Sequence, residues 1–282
     1  MTAETDPPAS ALPPAAPRLR PAVGAARRFR TGRTVSALML REMSTTYGRT
    51  PGGYLWAILE PVLGIALLTV ILSVGLRVRT PGLGTSFPLF FATGVLPFQM
   101  FNKVANKTAR ALIFSRPLLR YPGVTWVDAI LARAILNTLT YMLVFALVIG
   151  GLLAVFDTRT ILDWPPILAA LAMTVGLALG IGVLNCYLFA AFPLWESLWD
   201  IATTPLFLIS GIFFLYDSLP RFAQDVLWWN PIIHIVGMMR RGFYPTYDAA
   251  YVAPAYVFGL SAGLLVLGML LLHRFHKDIL QA

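Results

Sequence analysis

Long apolar runs with almost no charge recur along this chain, and they leave it few folds. One of them, "YLWAILEPVLGIALLTVILSVGL", begins at Tyr54. A hydrocarbon core about 30 Å thick is crossed by about 20 such residues in a helix rising 1.5 Å each. Lipid offers the backbone no hydrogen bonds, so only helices or closed barrels survive there. The chain is 57% hydrophobic and 12% charged, against about 25% charge in a soluble domain. The expected class is an all-α membrane protein. Six transmembrane helices are predicted, near residues 54–76, 86–104, 128–155, 165–190, 198–216 and 252–273. Gly94 and Pro97 are expected to interrupt the second.

Charge sets the orientation. The net charge is +9, and eight arginines stand between Arg18 and Arg49, ahead of the first span. With the N-terminus inside, sixteen Lys and Arg fall on the cytoplasmic side and six outside, as the positive-inside rule requires. Residues 1–32, rich in Pro, Ala and Arg and without a signal-peptide apolar stretch, read as a disordered cytoplasmic tail. Residues 33–50 hold an amphipathic helix with Val35, Leu38, Met39 and Met43 on one face, suited to the cytoplasmic leaflet and its anionic lipids. Residues 51–282 form the six-span domain. The connection 217–251 is long and apolar. It reads as two short outer helices, 219–229 and 231–244, either re-entrant or lying flat.

Glu60 and Pro61 interrupt the first span's apolar pattern. An acid inside the bilayer costs about 2.5–3.5 kcal/mol on insertion scales, and Pro61 cannot donate to the carbonyl of Ala57. Glu60 shares a helix face with the small residues Gly53, Ala57 and Gly64, so the pair reads as a hinge and polar contact. It faces a protomer interface or a path, near an arginine or a backbone donor. Gly176 with Gly180, and Gly259 with Gly263, are spaced for close helix contact.

Catalytic patterns are missing from the sequence. There is no G-x-S-x-G, no H-E-x-x-H, no metal-ligand cluster and no P-loop. No cofactor or metal is therefore expected in this chain. The single Cys186 lies in an apolar segment. One intramembrane acid makes a poor proton relay, which disfavours an ion-driven transporter. No basic stripe with interleaved aromatics points to nucleic acid. Tyr54, Trp56, Trp195 and Trp199 lie near span ends, where aromatic belts form. Phe207, Phe213, Phe214 and Tyr216 run along and out of the fifth span, as an aromatic-lined sugar path would require.

The stretches "LMLREMSTTYGRTPGGYLWAILEPVLGIALL", "SRPLLRYPGVTWVDAILAR", "PLFLISGIFFLYDSLP" and "WWNPIIHIVGMMRRGFYPTY" occur in an order that resembles permease subunits of type-2 ABC exporters. Within them the chain is most similar to the capsular polysaccharide, KpsM-type, family. The resemblance implies a homodimer in the inner membrane joined to two separate ATPase subunits that bind ATP and Mg. Its cargo would be a lipid-linked, often acidic polysaccharide, passed to a periplasmic adaptor (co-polymerase) and an outer-membrane export protein. The first and fifth spans would line the path, with Tyr54, Trp56, Glu60, Pro61, Trp195, Trp199, Phe207, Phe213, Phe214 and Tyr216 as its candidate residues. Arg116, Pro117, Leu118, Leu119, Arg120 and Tyr121 would dock on the ATPase. Arg240 and Arg241, on the outer side, could contact an acidic polymer. O-antigen, teichoic-acid or drug export, and a membrane enzyme acting on lipid-linked glycans, are the alternatives.

Overall fold

The computed structural model describes residues 30–46, 53–71, 82–119, 123–156 and 160–281. Among the described residues ten α-helices follow one another: α1 (Arg30–Thr46), α2 (Gly53–Val70), α3 (Phe87–Ala109), α4 (Ala111–Ser115), α5 (Trp126–Val155), α6 (Trp164–Ala191), α7 (Pro193–Leu208), α8 (Arg221–Leu227), α9 (Pro231–Phe243) and α10 (Pro254–Gln281). A short 3-10 turn covers Tyr216–Ser218. Three of the described helices, within α5, α6 and α10, are long and apolar enough to cross a membrane.

Helix α6 is the centre, with α10, α3 and α9 packed around it, and α5 lies on the far side of α3. Between helices in lipid, burial gains dispersion contact and close approach more than water exclusion. Gly180 shows the principle. A Cβ there would stand 2.5 Å from the Ser261 carbonyl oxygen, so α6 and α10 meet backbone to backbone. Gly268 makes the reciprocal approach: a Cβ there would stand 2.6 Å from the Leu184 nitrogen. The Gly176–Gly180 pair lies on this seam, whereas Gly259 and Gly263 face open space.

Helix ends follow local chemistry. Thr125 and Asp128 form a reciprocal capping box at the start of α5, with bonds of 3.2 and 3.0 Å. Such a box satisfies two of the amides that a helix start leaves unpaired. Asn230 caps α9 by accepting from the Ile232 amide at 3.0 Å, and Pro231 takes the first helical position, where its missing N–H costs nothing.

Three expectations change. Helix α3 is continuous through Gly94 and Pro97, because its flanks are held by α5, α6 and α9 and its backbone is buried throughout that stretch. The fifth helix runs over 193–208 rather than 198–216. Pro193 starts it, and Gly211, at φ 74°, turns the chain away after its end. Phe213 and Phe214 thus lie on irregular backbone beyond α7, and Tyr216 opens the 3-10 turn. Finally, α2 continues through Pro61. The tail before Arg30, the turn at 47–52 and the continuation 72–76 of the first span lie outside the described residues.

Candidate functional site: a polar cluster and an aromatic ladder

Polar side chains gather where α1, α2, α3, α5 and α7 approach the α4 turn. On α3, Lys103 donates to both oxygens of Glu60, at 2.7 and 2.9 Å. The partner of Glu60 is thus a lysine of the same chain, where an arginine or backbone donor was expected. One turn further, Asn106 accepts from the Trp199 indole at 3.1 Å, and its amide donates to Asn102. Arg110 stands at the break between α3 and α4. Its Nε donates to Glu196 on α7 at 2.8 Å, and Asp200 lies 3.9 Å away.

Arg133 of α5 completes the cluster. It donates to Glu42 of α1 at 2.9 Å and to the Arg110 carbonyl at 2.9 Å, and its guanidinium lies 4.3 Å over the Phe114 ring. The side chains of Arg133 and Glu42 are 7% and 5% exposed. Removing one member of such a buried pair strands the other charge, which costs about 3–5 kcal/mol. Glu60 and Lys103 are more open, at 51% and 34%. Exposed pairs hold a geometry weakly and can be exchanged.

Trp195 is tied down nearby, donating to Asn185 of α6 at 3.0 Å. Trp56 is exposed, and Pro61 is buried. The side chain of Tyr54 lies outside the described residues, as do Arg120 and Tyr121. Arg116 and Pro117 stand exposed just after α4, followed by half-buried Leu118 and Leu119.

Aromatic rings form a ladder between α3 and the α7 end. Phe207 meets Phe98 edge-on at 5.1 Å and Phe213 at 5.4 Å, and Phe213 leans on Phe91 at 6.5 Å. Edge-to-face pairs contribute about 0.5–1.5 kcal/mol beyond area burial. Tyr216 is buried, stacked on Tyr251 at 4.0 Å, and donates to the Gln224 carbonyl at 2.9 Å. Phe207 and Phe213 therefore already serve each other and α3, leaving part of each ring free.

Arg240 differs most from its sequence reading. It is 2% exposed, and its guanidinium donates to the carbonyls of Ile212 and Phe214 at 2.9 Å each while lying 4.1 Å over Phe90. It ties the irregular 212–214 segment to α9. Arg241 is exposed. Burial pushes the nearby Tyr247 hydroxyl up to about 12, so that phenol stays neutral beside the arginine. Carbonyl dipoles and a ring face, rather than an anion, offset the Arg240 charge.

Sequence reading missed Lys103, Asn106, Arg110, Arg133 and Glu42 as site residues, counting the basic ones only as inner charge. The signal was available in the spacing of Lys103, Lys107 and Arg110, which places them on one helix face. Among the described residues no group of three or more His, Cys, Asp and Glu is placed to hold a metal ion.

Residues 33–244 match the family described as ABC-2 type transporter. The chain belongs to the ABC-2 type transporter family. The match runs from α1 to the end of α9, so the polar cluster and the Arg240 tie both lie within the ABC-2 region, while α10 follows it. Among similar proteins is the polysialic acid transport protein KpsM of Escherichia coli, 32% identical over 238 residues, which cover 84% of this chain and 92% of that one. The capsule polysaccharide export inner-membrane protein CtrC of Neisseria meningitidis is 28% identical over 248 residues, 88% and 92% of the two chains. BexB of Haemophilus influenzae, described in the same words, is 26% identical over 249 residues, 88% and 93%.

Proposed function

We propose that this chain is the membrane permease subunit of an ATP-driven exporter that moves capsular, lipid-linked and acidic polysaccharide across a bacterial inner membrane. The observation that carries this is similarity running along nearly the full length of two capsule polysaccharide export proteins and a polysialic acid transport protein. The unit is a homodimer with two separate ATPase subunits, which bind ATP and Mg. A periplasmic adaptor and an outer-membrane export protein receive the cargo. Both termini are cytoplasmic, α2, α3, α5, α6, α7 and α10 are the six spans, and α8 with α9 forms the outer segment. The burial of α9 between α3 and α6 favours a re-entrant position, since backbone at membrane depth needs protein around it.

The inner cluster gives this reading a mechanism. Arg116–Tyr121 docks on the ATPase directly after α4. Motion of that turn pulls on Arg110, whose carbonyl is held by Arg133 and whose side chain is held by Glu196 of α7. Displacement at the docking turn thereby reaches α1 through Glu42, and α7 through Glu196. The ring ladder above then offers apolar faces to sugar C–H surfaces, and Arg241 offers a cation to acidic groups outside.

Co-purification tests the assignment. A separate ATPase subunit should accompany the chain from native membranes, and nucleotide hydrolysis should come with it. Deletion of the gene should abolish surface capsule and accumulate polymer inside the cell. Normal surface capsule without internal polymer would defeat the capsule assignment.

A further inference from the structure

Three cations line one stripe along α3 and its C-cap. Lys103, Lys107 and Arg110 are four and three residues apart, which places them within about 60° of one another around the helix. Their axial span of about 10 Å is enough to cross a headgroup layer and reach the edge of the hydrocarbon. Two of the three are engaged by carboxylates on helices of the proposed path: Lys103 by Glu60 of α2 at 2.7 Å, and Arg110 by Glu196 of α7 at 2.7 Å. Lys107, between them, makes no hydrogen bond or ion pair with any described residue.

The charges around Lys107 are unbalanced. Its neighbours are Arg133, Lys103 and Arg110 against the single acid Glu42, and Glu42 is already held by Arg133 at 2.9 Å. The residue is half-buried. A lysine that needed only water would stand on a free helix face. This one stands between two acid-paired cations, where like charges repel it and no acid of its own offsets them. An incoming anion would relieve that repulsion.

We propose that Lys107 is the binding site for the phosphate at the lipid end of the cargo, entering from the inner leaflet. The headgroup depth of the stripe favours a lipid-borne phosphate over a carboxylate far along the polymer. Lys103 and Arg110 form the margins of the site. An anion that draws them toward Lys107 loosens their hold on Glu60 and Glu196, so cargo binding weakens the ties between α3 and the path helices. The inference rests on the export reading and specifies the part of the cargo recognised.

The test uses the full chain in phosphatidylcholine nanodiscs, with two probes: phosphatidylglycerol, and lipid-linked polysaccharide extracted from a capsulated strain. Native mass spectrometry counts bound molecules. Lys107→Gln should weaken binding of the glycolipid about tenfold, the scale of one charge-assisted hydrogen bond. Lys107→Arg should retain it, and Arg274→Gln, exposed elsewhere, should leave it unchanged. Loss with both probes supports a phosphate site that bulk lipid also enters, and loss with the glycolipid alone supports a site selective for cargo. Loss with phosphatidylglycerol alone, or no loss with either, overturns the proposal. Capsule staining separates the two layers of argument. If the gene proves dispensable for capsule while Lys107-dependent binding persists, the export reading fails and the anion site stands.

Discussion

At the scale of residues, two ion pairs of opposite character sit within the same polar cluster. Glu42–Arg133 is shut away from solvent, and its job is to hold. Glu42→Ala leaves a buried guanidinium without its acid and should destabilise the protein by about 3–5 kcal/mol, read as a lowered Tm in detergent; Glu42→Gln, which keeps one acceptor, should lose less. Glu60–Lys103 is half open, and on the proposed reading it is exchanged during transport. Glu60→Lys and Lys103→Glu should each impair capsule export, and the double swap should restore much of it. Export at the normal level by both single variants would dissociate the pair from transport. Arg240 is a third case. Its planar fork reaches two carbonyls at once, which a lysine cannot reproduce. Arg240→Lys should expose the 209–219 segment to limited proteolysis faster than in the unchanged protein.

Elements divide into those whose ends are written locally and those whose course depends on neighbours. Helix α9 belongs to the first group, and Asn230→Ala should cost about 1 kcal/mol through loss of its cap, seen as faster amide exchange at Ile232 and Ile233. The α6–α10 seam belongs to the second. Gly180→Leu should abolish stable expression, because its side chain would have to pass through the Ser261 backbone, while Gly259→Leu should be tolerated. The same division explains what could be read in advance. The long helices α5, α6 and α10 were legible because each holds an apolar run long enough to cross a membrane. The continuity of α3 was not, since Pro97 argues locally for a break and only packing on α5, α6 and α9 overrides it. The start of the fifth helix at Pro193 was not legible, since Glu196 in its first turn is held by Arg110, distant in sequence. Burial of Arg240 was partly legible: Ile233, Val236 and Arg240 share a face of α9. Sequence alone gave no reason to prefer that face over the one bearing Arg241.

At the scale of the molecule, α2 and α7 are the least covered of the helices proposed to span. Trp56, Leu63, Leu67, Leu194, Leu198 and Ile201 are all exposed, as expected of surfaces that a second copy covers. The sole cysteine, Cys186, is buried, so a Cys186→Ser background is easily made silent. In that background Leu63→Cys should cross-link two copies in native membranes, whereas Leu143→Cys, exposed on α5, should not. Equal cross-linking at both positions would argue against a dimer built on α2. The shortness of α7 has a wider consequence. Its 16 residues rise about 24 Å, some 6 Å less than a typical hydrocarbon core. On the proposed six-span reading, lipid beside α7 thins to match it. A thinned bilayer is a shorter crossing for any headgroup, which on the same reading lowers the barrier where cargo leaves the inner leaflet. Reconstitution in lipids with longer acyl chains should therefore slow export while leaving ATP hydrolysis nearly unchanged.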